Sequence, residues 1–143
     1  MAEIVNRIQD SSKKPPEAVE VERSVLGAVL LEKEAVHKVI DFLKPDHFYD
    51  KKNSIIYEAM MSLFNANEPI DTVTVYEELG KLGQQESSGG AAYLARLTQD
   101  ISSAANVEYH AKIVFEKWIL RSLITASFDI AGSAYEGQED VFE

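Results

Sequence analysis

The stretch NVEYHAKIVFEKWILRSLITASFDIAGSAY, residues 106–135, decides the fold class. Its apolar residues recur at nearly heptad spacing, which predicts one long helix with a continuous seam. The predicted seam contains Val107, Ala111, Val114, Trp118, Thr125 and Phe128. A second apolar face contains Ile113, Ile119, Leu120, Leu123, Ile124 and Ile130. At about 1.5 Å per residue the helix would run roughly 45 Å, longer than a small globule needs.

A helix of this length that is apolar on more than one side must project and be covered by something else. The candidate interface residues are therefore Trp118, Leu120, Leu123, Ile124, Phe128 and Ile130. Gly137 is expected to end the helix, and the acidic run from Gln138 to Asp140 is typical of a new helix start. The sequence thus predicts a helical hairpin that is cut short by the end of the chain.

Shorter helical patterns precede this segment, and no stretch alternates as a strand would. Pro15-Pro16 stops a polar beginning, and helical spacing then starts at Ala18. Gly27 lies inside this first helix, and we attribute it to close helix approach. We expect Asp71 to cap a later helix that Gly83 ends. The inward residues expected for the first four helices are Val21, Val25, Ala28, Val29; Val36, Val39, Ile40, Leu43; Ile56, Met60, Leu63, Phe64; and Val75, Leu79, Leu82.

The predicted class is accordingly all-α, a compact multi-helix globule followed by a long helix that begins a truncated helical hairpin. We divide the chain into a flexible N-terminal tail at 1–14, a helical globular domain at 15–104, and the long helix with the hairpin start at 105–143. The aromatic run His47-Phe48-Tyr49 is expected in a loop, where it plugs the core.

Charge and composition exclude several classes of function. The net charge of −10 over 143 residues disfavours direct nucleic-acid binding through a basic face, and the pairs Lys13-Lys14 and Lys51-Lys52 are interpreted as solvated. The absence of cysteine excludes disulfides and thiolate zinc sites and fits a reducing cytoplasm. With no secretory signal pattern and no apolar run long enough to span a membrane, the expected location is cytoplasmic.

The stretch ESSGGAAYLARL, residues 86–97, raises the question of a phosphate-binding loop. Such a loop needs a lysine for the charge and a hydroxyl for magnesium, and neither follows Gly89-Gly90. We interpret the two glycines as a tight turn that starts a helix with Tyr93, Leu94 and Leu97 inward. The histidines His37, His47 and His110 lack metal-ligand spacing. No catalytic, cofactor-binding or metal-binding residue is therefore predicted, although distant residues could still meet in space.

Five segments together resemble one family, the N-terminal domain of the bacterial replicative DNA helicase, or DnaB family. They are PPEAVEVERSVLGAVLLE from Pro15, DHFYDKKNSIIYEAM from Asp46, EPIDTVTVYEELGKLG from Glu68, GGAAYLARL from Gly89 and SAANVEYHAKIV from Ser103. The resemblance covers about residues 15 to 143. The sequence departs from the family at Asn53, where a histidine is frequent, and near Gln84 or Gln85, where an apolar residue is frequent.

The resemblance implies a helical globule and a hairpin that pairs with the hairpin of a neighbouring subunit. It implies a collar of six such domains, to which primase docks. It places ATP and magnesium in a separate motor domain that this sequence does not resemble, so no cofactor is expected in this fragment. It leaves open whether a helicase loader binds here.

Three functions follow from these observations. The leading hypothesis is a non-catalytic collar domain of a replicative helicase, which mediates subunit assembly and primase docking in DNA replication. The alternative is a helical nucleic-acid-binding module, against which the net charge of −10 argues. A small helical enzyme is the third.

Overall fold

The computed structural model describes residues 13–101, 103–137 and 140–142, and within those ranges the chain is helical with no strand. The helices are α1 (Val19–Leu31), α2 (Ala35–Val39), α3 (Lys51–Asn65), α4 (Thr72–Lys81), α5 (Gly90–Gln99) and α6 (Val107–Glu136), with a 3₁₀ turn at Pro45–His47 between α2 and α3. The predicted all-α class is therefore confirmed.

Helix α1 lies at the centre of the globule, in contact with α3, α5 and α6. Its apolar row fills the core. The fully buried residues of this row are Val25, Leu26, Ala28 and Val29. The expected inward residues of the next helices are buried or pack against the core. Leu82 is the exception: it is 42 % exposed because it lies at the C-terminal cap of α4 rather than on its inward face.

Side-chain caps fix where α3 and α4 begin. The Asp71 carboxylate accepts the Thr74 amide at 2.9 Å, and the Thr74 hydroxyl accepts the Asp71 amide at 2.9 Å, so the predicted cap of α4 is confirmed. Asp50 accepts the Lys52 amide at 3.0 Å in the same way. This second cap starts α3 at Lys51, slightly earlier than the apolar pattern alone indicates.

Gly89 and Gly90 both have positive φ angles, of 92° and 73°, and they turn the chain into α5. Tyr93, Leu94 and Leu97 of α5 are buried, as expected. The two glycines therefore form the tight turn that the sequence predicted.

Gly27 lies where α1 packs closely against α5. A Cβ atom built on Gly27 would collide with the backbone carbonyl oxygen of Leu97 and lie 3.0 Å from the Ile101 side chain. The predicted reason for this glycine, close helix approach, is confirmed.

Helix α6 differs between its two halves. Val107, Ala111 and Val114 are buried against the globule, whereas residues 123–130 are all exposed. The predicted seam lies against the globule as far as Trp118, and its continuation at Thr125 and Phe128 lies beyond the globule and is exposed. Gly137, with a φ of 61°, ends the helix as expected.

Residues 1–12, which make up most of the predicted tail, lie outside the described residues. The predicted hairpin start is described only in part, because Gln138, Glu139 and Glu143 also lie outside them. Lys14, at the end of that tail, pairs with Glu17 at 2.9 Å. At the other end, the Phe142 amide donates to the Asp140 carboxylate at 2.9 Å. The domain boundaries at 14 and 104 remain predictions.

None of the helices in the described ranges is long and apolar enough to cross a membrane. The same residues contain no group of three or more histidine, aspartate and glutamate side chains placed to hold a metal ion.

Candidate protein-interaction surface

The distal half of α6 presents an apolar surface on the side that faces away from the globule. With 3.6 residues per turn, four exposed aliphatic residues lie opposite the buried row of Val107, Ala111 and Val114. We call Leu120, Leu123, Ile124 and Ile130 the outer face. Leu123 is 61 % exposed and Ile130 is 71 % exposed. Phe128, also a predicted interface residue, lies at the flank of this face and is exposed as well.

The side of distal α6 that continues the buried row is polar. It borders an open groove of about 480 Å³ at the base of the helix. The groove is lined by Asp46, Trp118, Arg121, Ser122, Thr125, Ala126 and Asp129. Because the apolar and polar sides are opposite, the globule as described at residues 13–101 and 103–137 leaves the outer face uncovered.

Trp118 is placed differently from the other candidate interface residues. Its ring centroid lies 4.4 Å from that of His47 and 5.8 Å from that of Phe115, so it packs at the junction of α6 with the globule. Trp118 therefore belongs to the base of the projecting helix rather than to its outer face.

Arg121 anchors the same junction. Its guanidinium donates to the backbone carbonyls of Pro16 and His47, both at 2.9 Å, and it lies 5.3 Å from the centre of the Tyr49 ring. Charge-assisted hydrogen bonds from one planar fork to two separate segments fix the direction in which α6 leaves the globule.

His47 is the buried centre of this junction, at 5 % exposure. Its Nδ1 accepts the Lys44 amide at 2.9 Å, and its ring also packs on Phe115 at 5.0 Å. Burial lowers the pKa of His47, so the imidazole is neutral at neutral pH. The expected aromatic plug is confirmed for His47 and Phe48, whereas Tyr49 remains partly exposed below Arg121.

A buried carboxylate fixes the loop that follows His47. Glu22 of α1 is 1 % exposed and accepts the amides of Tyr49 at 2.7 Å and Asp50 at 3.2 Å, together with the side-chain amide of Asn53 at 3.1 Å. The carbonyl of Asn53 in turn accepts the hydroxyl of Tyr93. Asn53, the departure from the family pattern, thus links α1, α3 and α5.

Sequence reasoning missed both Glu22 and Arg121. The signal for Glu22 was available, since it is an acidic residue at the helical spacing of Val25 and Val29 and should therefore face the core. Arg121 gave no comparable signal, because its partners are backbone carbonyls far away in the sequence.

The family model described as DnaB-like helicase N terminal domain matches residues 14–116, which is the globule and the first part of α6. The chain is 44 % identical over 135 residues to the replicative DNA helicase DnaB of Rhodothermus marinus, covering 94 % of this chain and 14 % of that protein. It is 40 % identical over 131 residues to the replicative DNA helicase DnaC of Bacillus subtilis, covering 92 % of this chain and 29 % of that protein. The chain thus spans less than a third of the length of these relatives.

Two solved structures share the fold. The N-terminal domain of DnaB helicase from Mycobacterium tuberculosis superposes with a TM-score of 0.85 at 39 % identity, covering 90 % of this chain and 91 % of that one. A DnaB-like replicative helicase, described with its interactions with primase, gives a TM-score of 0.72 at 26 % identity over 80 % of this chain and 27 % of that one. The chain therefore belongs to the family of DnaB-like helicase N-terminal domains.

Proposed function

We propose that this chain is the non-catalytic N-terminal domain of a replicative DNA helicase, and that it joins subunits through the outer face of α6 and docks primase. The observation that carries the proposal is the outer face itself, an exposed aliphatic surface on a helix whose base is fixed to the globule. In the proposed assembly six such domains form a collar in the cytoplasm.

The energetics favour association through this face. Covering one aliphatic side chain completely is worth about 1.5–3 kcal/mol, and the outer face has four. Arg121 and Trp118 already fix the base of α6, so less conformational entropy is lost when a partner binds. Because each copy carries the same face, two copies can cover both faces in one symmetric contact.

ATP and magnesium chemistry is assigned to a motor domain of the whole helicase rather than to these residues. The turn at Gly89-Gly90 does not fit a phosphate, because both amides already donate to backbone carbonyls, Gly89 to Glu86 at 3.1 Å and Gly90 to Gln85 at 3.0 Å. A cradle for phosphate oxygens needs free backbone amides that converge.

Primase is the second proposed partner. The proposal is supported by the similarity to a DnaB-like helicase described with its interactions with primase. Direct binding of DNA is not proposed, since a net charge of −10 repels the phosphate backbone.

Titration calorimetry distinguishes primase docking from direct binding of DNA. We expect saturable binding of the primase from the same organism, and no binding of single-stranded or duplex oligonucleotides at low salt, where electrostatic binding is strongest. Oligonucleotide binding that weakens steeply with added salt, without primase binding, would support the nucleic-acid-binding alternative and contradict the proposed role.

A further inference from the structure

One ionisable ring lies where the middle of α6 meets the globule. His47 contacts α6 through Phe115 and Trp118, and its backbone carbonyl accepts one of the two hydrogen bonds of Arg121. The direction of α6 beyond Phe115 is therefore coupled to the conformation of the 3₁₀ turn that carries His47.

The hydrogen bond inside this turn requires a neutral imidazole. Nδ1 accepts the Lys44 amide, so the ring proton must be on Nε2. Protonation would turn Nδ1 into a donor that points at another donor. It would also place a positive ring next to the guanidinium of Arg121. That guanidinium donates a hydrogen bond to the backbone carbonyl of His47.

We propose that the His47 turn is an acid-sensitive latch: protonating the imidazole breaks the turn's hydrogen bond at Nδ1, releases Trp118 and Arg121, and frees the part of α6 beyond Phe115 from its fixed direction. The outer face then moves relative to the globule without global unfolding. The latch goes beyond the proposed assembly role, because it sets the direction of α6 in a single chain.

Burial sets the direction of the shift in the pKa of His47, and the charged groups around the ring modify it. Asp46 in the same turn favours protonation, whereas Lys44 and Arg121 oppose it, and Glu17 lies close enough to act on Arg121. On α3, Tyr57 donates to the Leu43 carbonyl at 3.0 Å, and burial raises the pKa of its hydroxyl well above the ordinary value, so it stays uncharged.

The effect of pH on the equilibrium between the closed and the open latch has a definite direction. The pKa of His47 is lowered in the closed latch and returns toward about 6.5 when the ring is exposed. The open form therefore binds more protons below that pH, and the closed form is fully favoured only above it. Lowering the pH therefore shifts the equilibrium toward the open latch.

Glu22 titrates in the opposite sense. Burial raises the pKa of its carboxyl, so the folded globule holds that proton more tightly than the unfolded chain does. The stability linked to Glu22 is present at low pH and lost as the pH rises through its raised pKa. Acid-induced release of α6 therefore cannot be attributed to Glu22.

Trp118 reports on the latch directly, because it is the only tryptophan in the sequence. We expect its emission to shift to longer wavelength as the pH falls below about 6.5, with the same midpoint as the imidazole titration of His47 observed by NMR. We also expect amide exchange at residues 118–124, corrected for its intrinsic pH dependence, to speed up by up to about tenfold per pH unit. The amides of α3 serve as the reference for global unfolding and should stay protected.

The other histidines supply matched controls. His47→Gln should abolish both pH-dependent changes, whereas His37→Gln and His110→Gln should retain them. If Trp118 emission and α6 exchange do not change as His47 titrates in the parent chain, the latch is refuted even if His47→Gln fails to fold. Equal changes in parent and His47→Gln would refute it as well.

Discussion

Replacing Glu22 with alanine should lower the free energy of unfolding by about 3–5 kcal/mol. The substitution strands two backbone amides, those of Tyr49 and Asp50, and the side-chain amide of Asn53. Each donor left without a partner in a buried site costs about 1–3 kcal/mol. Urea denaturation at neutral pH measures the loss.

Two variants make the result specific. Glu20→Ala removes an exposed carboxylate on the same helix, whose pair with Arg23 is worth little, so its effect should stay within about 0.5 kcal/mol. Glu22→Gln keeps one acceptor oxygen and should fall between the two. An effect of Glu22→Ala as small as that of Glu20→Ala would show that water replaces the carboxylate without cost.

Gly27→Leu should destabilise the chain by about 1–3 kcal/mol, because its side chain would overpack the contact between α1 and α5. Gly27→Ala should also destabilise, even though alanine favours a helix over glycine by about 1 kcal/mol. The reason is that the added methyl meets the rigid carbonyl of Leu97 rather than a flexible side chain. Thermal unfolding of the three proteins provides the measurement.

Gly132→Ala is the matched control, since this helical glycine has no atoms within 4 Å of the added methyl. It should leave the melting temperature unchanged or raise it slightly. A melting temperature of Gly27→Ala at or above that of the parent would mean that the two helices separate at no cost, contrary to the close approach inferred here.

Local sequence signals predicted most of the fold. The Asp71 cap, the glycine turn before α5 and the helix end at Gly137 depend on single residues with definite conformational preferences, so they can be read without the tertiary structure. The core rows of the shorter helices follow from their helical period in the same way.

The sequence does not show at which residue of α6 the globule ends. The apolar pattern continues through Trp118 to Phe128, and periodicity cannot show at which residue the supporting helices stop. Trp118 was grouped with the interface residues for this reason, although the structure packs it on His47. The contacts of Glu22 and Arg121 join residues distant in the sequence, which no local pattern contains.

The central claim is that copies of this chain meet through the outer face of α6. Sedimentation equilibrium over a wide concentration range tests it on three proteins: the parent, Leu123→Glu/Ile124→Glu on the outer face, and Ser122→Glu/Thr125→Glu on the groove side. Both variants add the same charge to the same helical turns, so a difference between them reports which side of α6 makes the contact.

We expect the mean mass of the parent and of Ser122→Glu/Thr125→Glu to rise with concentration, and that of Leu123→Glu/Ile124→Glu to stay at the monomer value. Burial of four aliphatic side chains in the contact accounts for the rise in mass. Leu123→Glu/Ile124→Glu stays monomeric because the same contact would bury unpaired carboxylates. A parent chain that stays monomeric at every concentration, with residues 119–130 strongly protected from amide exchange, would contradict the claim.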